Sequence, residues 1–124
     1  VFTGNTFDGN IDFSDQRNPS KTTLKDILFT DNLCNGDLLS VPASTMASST
    51  VVVRGNLLRH AGNITLNASE WVWRGNTHAN GSLEIAAGSK ANIVRDNITS
   101  APITDHGTET VLTGNIERKP ITKP

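Results

Sequence analysis

Val51-Val52-Val53-Arg54-Gly55-Asn56 is echoed a few lines later by Trp71-Val72-Trp73-Arg74-Gly75-Asn76, an apolar run closed by Arg, Gly and Asn. Its last four places define a pattern, hydrophobic-x-[Gly/Asp]-Asn. The pattern returns as Phe2-Thr3-Gly4-Asn5, Phe29-Thr30-Asp31-Asn32, Val94-Arg95-Asp96-Asn97 and Leu112-Thr113-Gly114-Asn115, six copies in all. Successive asparagines lie 27, 24, 20, 21 and 18 residues apart. A second landmark keeps phase with the first. A Gly turn follows in four copies, as Asp8-Gly9-Asn10, Asn35-Gly36-Asp37, Ala61-Gly62-Asn63 and Asn80-Gly81-Ser82, and the next residue is apolar, Ile11, Leu38, Ile64 or Leu83. Ile103 and Ile121 hold the matching place in the last two copies.

Self-similarity at a period of ~20–25 residues is the signature of a solenoid, in which each repeat is one coil that buries its apolar face only against its neighbours. Each repeat reads as three short strands: one before the motif, one after the Asn and one after the Gly turn. The expected fold is therefore all-β, a parallel β-helix of about six coils over residues 1–118, with residues 119–124 as a C-terminal tail or linker. Parallel crossovers are overwhelmingly right-handed, so the helix is expected to be right-handed. A β-sandwich also uses short strands and regular turns, but gives no reason for one turn to keep the same residues six times. The motif is already running at Val1 with no visible cap. Solenoids cover their open ends, so a fragment of a longer chain is expected.

The asparagines have a physical task. Asn tolerates the left-handed region better than any residue but Gly, which suits a sharp corner between strands. Stacked ~4.8 Å apart on successive coils, side-chain amides can also bond one to the next. Asn5, Asn32, Asn56, Asn76, Asn97 and Asn115 are read as an internal structural ladder.

Composition narrows the function classes. The chain has 124 residues, a net charge of −1 and a pI near 6.3, so it lacks the basic footprint that nucleic-acid binding needs. No run approaches the ~18 apolar residues of a membrane span, and no membrane insertion is expected. The one cysteine, Cys34, excludes an internal disulfide and a Cys-rich zinc site, and reads as a small buried apolar residue. No metal or cofactor is expected.

The repeated motif resembles the pectin-lyase-like right-handed β-helix superfamily, whose coils carry interior asparagine ladders. The likeness runs through nearly the whole chain and is closest to the β-helices of bacteriophage tailspikes and tail appendages. It implies a structural and host-recognition segment of a trimer that binds cell-surface polysaccharide, located on the virion tail or otherwise outside the cell. The superfamily also holds polysaccharide lyases and glycoside hydrolases acting on acidic polysaccharide. Bacterial adhesin passengers share the architecture, and either alternative implies a secreted or cell-surface protein. The ladder is scaffold and carries no chemistry of its own, so this segment is not expected to be catalytic.

The strand before the motif is apolar on both parities. One set holds Phe29, Val53, Trp73, Val94 and Leu112, and the other Leu28, Val52, Val72, Ile93 and Val111. Whichever set faces inward, the other forms an apolar stripe outside, a feature typical of an interface. The second set is taken as the stripe. Arg54, Arg74 and Arg95 recur at one place in three consecutive coils and form the candidate ligand-binding row, with Asp96 and Glu70 as possible carboxylate partners. No catalytic residue is assigned. Two carboxylate pairs, Asp12 with Asp15 and Asp31 with Asp37, read as turn acids, and His60, His78 and His106 as surface residues. Trp71 and Trp73 would make a sugar platform if outward, and core if inward; the Phe, Val and Leu that share Trp73's row favour core.

Overall fold

The computed structural model describes residues 2–8, 11–12, 27–35, 39–40 and 51–118. Fifteen strands follow one another there and no helix. They are β1 (Phe2–Thr3), β2 (Thr6–Phe7), β3 (Ile11–Asp12), β4 (Ile27–Thr30), β5 (Leu33–Cys34), β6 (Leu39–Ser40), β7 (Val51–Arg54) and β8 (Leu57–Leu66). The series continues with β9 (Val72–Arg74), β10 (Thr77–Ile85), β11 (Ile93–Arg95), β12 (Ile98–Thr99), β13 (Thr104–Asp105), β14 (Val111–Thr113) and β15 (Ile116–Glu117). Neighbours in sequence do not pair with one another. Each strand pairs with its counterpart one repeat away, always in parallel, which makes the chain a β-solenoid.

The strands before the motif form one six-stranded sheet, in the order β1-β4-β7-β9-β11-β14. Those after the Asn form a second, β15-β12-β10-β8-β5-β2, with β13 joined to β10, while β3 and β6 pair separately. Expected strands two and three run together in the middle coils. β8 and β10 continue through their Gly turns, with Gly81 stacked on Gly62 and a register irregularity between His78 and Asn80. The chain bends there without breaking the ladder because no side chain intervenes; a Cβ on Gly81 would run into the Gly62 carbonyl. The turns at Asp8-Gly9-Asn10 and Asn35-Gly36-Asp37, the apolar Leu38 and Ile121, and the tail 119–124 lie outside the described residues.

The corner beside the motif corrects one expectation. The left-handed residue is the one before the Asn: Gly4, Asp31, Gly55, Gly75, Asp96 and Gly114 all have φ between 54° and 68°. The Asn itself is spared that strain and supplies hydrogen bonds. Gly or Asp is favoured there because most other residues accept this backbone only at a cost.

The asparagine ladder is continuous. Asn56 donates its backbone N–H and its amide to Asn76 Oδ1 at 3.0 and 2.9 Å, and Asn76 repeats both bonds to Asn97 Oδ1 at 2.9 and 3.3 Å. Each amide also reaches back to a carbonyl of the preceding coil, Asn76 to Val53 at 2.9 Å and Asn97 to Trp73 at 3.0 Å. Asn5, Asn32 and Asn115 extend the same row. The buried amides of the ladder are thus occupied, which removes the desolvation cost that an unpaired buried polar group carries. The core lies between the sheets, built on wholly buried Phe29, Val51, Val53, Trp71, Trp73, Leu83, Ile85 and Val94.

A second corner was not foreseen. Glu70, Ala91 and Glu109, each six residues before a ladder Asn, have φ of 62°, 58° and 55°. Next to it, Asn92 Oδ1 accepts from the Trp71 backbone N–H at 2.9 Å, and its amide donates to the Ala68 carbonyl at 2.7 Å. Two unlike residue types, Glu and Ala, share this corner, so it left no motif in the sequence.

Two outcomes are expected in urea unfolding. Asn76→Ala removes four side-chain hydrogen bonds from a wholly buried site and should cost about 3–5 kcal/mol, whereas Asn5→Ala, exposed at its coil, should cost under about 1. Ala91→Gly relieves a left-handed alanine and should stabilise by about 1 kcal/mol.

Candidate functional site

The first sheet decides what the solenoid shows to its surroundings, because its side chains alternate between core and outside. Phe2, Phe29, Val53, Trp73, Val94 and Leu112 are stacked in register and face inward. Trp71 and Trp73 are both fully buried, so neither forms an outward sugar platform. The other parity, Leu28, Val52, Val72, Ile93 and Val111, is likewise in register and faces outward. The first three are half-buried, and Ile93 and Val111 are 38% and 50% exposed.

Two residues further along the same strands, the outward row is Thr3, Thr30, Arg54, Arg74, Arg95 and Thr113. The three arginines are therefore neighbours on consecutive strands, ~4.8 Å apart along the solenoid axis. Their surroundings differ. Arg95 Nε lies 3.1 Å from Asp96 Oδ2, an exposed pair worth under about 1 kcal/mol. Arg54 Nε donates to Thr30 Oγ1 at 3.4 Å. For Arg74 no carboxylate lies within 4.0 Å among the described residues. Glu70, expected as a partner, sits at the opposite end of the same coil's strand, four residues from Arg74 or roughly 13 Å at ~3.3 Å per residue.

The histidines divide. His78 is not on the surface as expected; it is 3% exposed, in the inward row of the second sheet beside Leu58. Its position follows from parity, since Thr77 points out and the next residue points in. Trp73 Nε1 donates to His78 Nε2 at 3.1 Å, which fixes His78 as the tautomer carrying its proton on Nδ1. His106 is exposed, with Nε2 3.5 Å from Glu84 Oε1. The His60 side chain lies outside the described residues.

Neither expected acid pair lies wholly within the described residues. Asp15 and Asp37, and the side chain of Asp12, lie outside the described residues, and Asp31 is exposed at its corner. Among the described residues no three His, Cys, Asp or Glu side chains are grouped to hold a metal ion, and no helix is long and apolar enough to cross a membrane. Cys34 is buried in the second sheet, and that burial raises its thiol from 9.0 to about 11.

Fold and surface together define a parallel β-solenoid whose outward sheet face joins an apolar row to a row of arginines. Comparison with known proteins adds no relative: no family model, no curated protein and no solved structure matches the chain.

Cys34 gives a direct check on burial. At pH 8 its alkylation by iodoacetamide should be far slower in the native chain than after unfolding. Because the folded thiol titrates above the unfolded one, the unfolded chain loses its proton first as pH rises past 9.0. Stability should then fall between pH 9 and 11, and Cys34→Val should remove that part of the decline.

Proposed function

We propose that this chain is a structural and host-recognition segment. It acts as a stiff β-solenoid shaft that packs side by side with further copies, as in a trimeric bacteriophage tailspike or tail appendage, and contacts cell-surface glycan. The observation that carries the reading is the outward apolar row from Leu28 to Val111, in register over five coils. A row of this kind is costly in water, at about 1.5–3 kcal/mol for each side chain that association fully buries. The resemblance of the motif to pectin-lyase-like β-helices supports the same reading. Stiffness follows from the ladder, since every coil is tied to the next by both backbone and side-chain bonds.

A second reading has one observation in its favour. Arg54, Arg74 and Arg95 stand in register on the open face, and guanidinium groups bind carboxylates in bidentate fashion. This fits a segment of a polysaccharide lyase or glycoside hydrolase that holds acidic polysaccharide, with the reacting groups elsewhere. A bacterial adhesin passenger would use the same shaft for attachment.

Sedimentation velocity over a concentration series tests the shaft. The chain should associate, Val72→Asp should shift it to monomer without loss of its β-rich circular dichroism, and a glycan array should retain it. A monomer at every concentration that retains no glycan would sink the proposal. Shortening of an acidic polysaccharide on incubation would favour the enzyme instead.

A further inference from the structure

The outer face of the first sheet is charged asymmetrically about its apolar row. Two residues after the row lie Arg54, Arg74 and Arg95; two residues before it lie Glu70, Ala91 and Glu109 at the second corner. Glu70 and Glu109 are exposed and, with Ser69, Lys90 and Ala91, line an open hollow at that flank. Lys90 offsets part of the negative charge there, and Asp31 and Asp96 part of the positive charge on the other flank. Arg74 and Glu70 share one coil on opposite sides of Val72, and neither has an ion pair among the described residues. Too far apart to meet within the chain, they are placed to meet across an interface.

From this asymmetry we infer that the occupant of the apolar row is a second copy of the chain lying parallel to the first, coil level with coil, with Arg74 of each against Glu70 of the other. The inference rests on the side-by-side association proposed above and specifies its direction and register. Symmetry supplies the argument. Rotation about an axis parallel to the solenoid, twofold or threefold, brings the arginine flank of one copy to the glutamate flank of its neighbour. Rotation about an axis along the strands reverses the solenoid and sets arginines on arginines and glutamates on glutamates. Like charges at an interface are costly, and opposite ones fix register. With coils level, Val72 also meets Val72, and the half-buried centre of the row is covered.

The test uses the full chain and its charge-reversed variants in equilibrium sedimentation at low salt. Arg74→Glu alone and Glu70→Arg alone should each weaken association by about tenfold, and the double variant should restore it. Circular dichroism of each variant checks that the fold is kept. A short bis-maleimide should link copies in Glu70→Cys mixed with Arg74→Cys, and not in Arg74→Cys alone; face-to-face sheets lie ~10 Å apart, beyond the reach of a direct disulfide. If the chain associates but the double variant is no better than the singles, or if Arg74→Cys links to itself, the parallel register is wrong while the shaft stands. If the unaltered chain stays monomeric throughout, both fall.

Discussion

The structure depends on hydrogen bonds that run along the solenoid axis from coil to coil. In a fold whose sequence neighbours never pair, every strand is an edge until the next coil covers it, and each coil needs a fixed height and rotation. The buried asparagines set both. Asn76 Oδ1 accepts two bonds from Asn56, and its amide divides between the Val53 carbonyl and Asn97 Oδ1. A shift of one residue in register would leave these groups unpaired in the core, at about 1–3 kcal/mol for each. The ladder therefore specifies alignment as well as contributing stability, and the apolar rows of Phe29, Val53, Trp73 and Val94 can stack only because it holds.

Packing follows from that alignment. The inward rows hold side chains of very different size, from Val53 to Trp73, both fully buried. Trp73 illustrates how polar atoms are admitted: its indole N–H would be orphaned in an apolar row, and His78 from the following strand takes it at 3.1 Å. The same alternation that sends Trp73 inward sends Val72 and Arg74 outward. The surface on which function is proposed is thus a by-product of register, with apolar and cationic rows kept straight by the ladder beneath them.

Corner chemistry divides between two solutions. Beside the ladder, Gly or Asp takes the left-handed backbone and the Asn is free to bond, a division of labour that recurs in all six copies. At the second corner Glu70, Ala91 and Glu109 take the same conformation with no residue specialised for it, and their strain of about 1–2 kcal/mol each is offset by the coil stacking around them. Asn92 makes the same kind of side-chain bonds at this corner in one coil and has no counterpart named in the motif.

The sequence by itself determined the solenoid, its coil boundaries and the ladder, because each coil must solve the same corner problem and solves it with the same residues. It also sorted Leu28 to Val111 into one row and Arg54, Arg74 and Arg95 into another, since equal spacing from a common Asn puts residues at equal height. Only the tertiary structure decided which parity of Leu28-Phe29 or Val72-Trp73 faces the core, because both are apolar and periodicity cannot separate them. The burial of His78, the separation of Glu70 from Arg74 and the second corner were likewise invisible. Each depends on where the chain re-enters the sheet after a turn, which backbone stacking between coils fixes and no local pattern records.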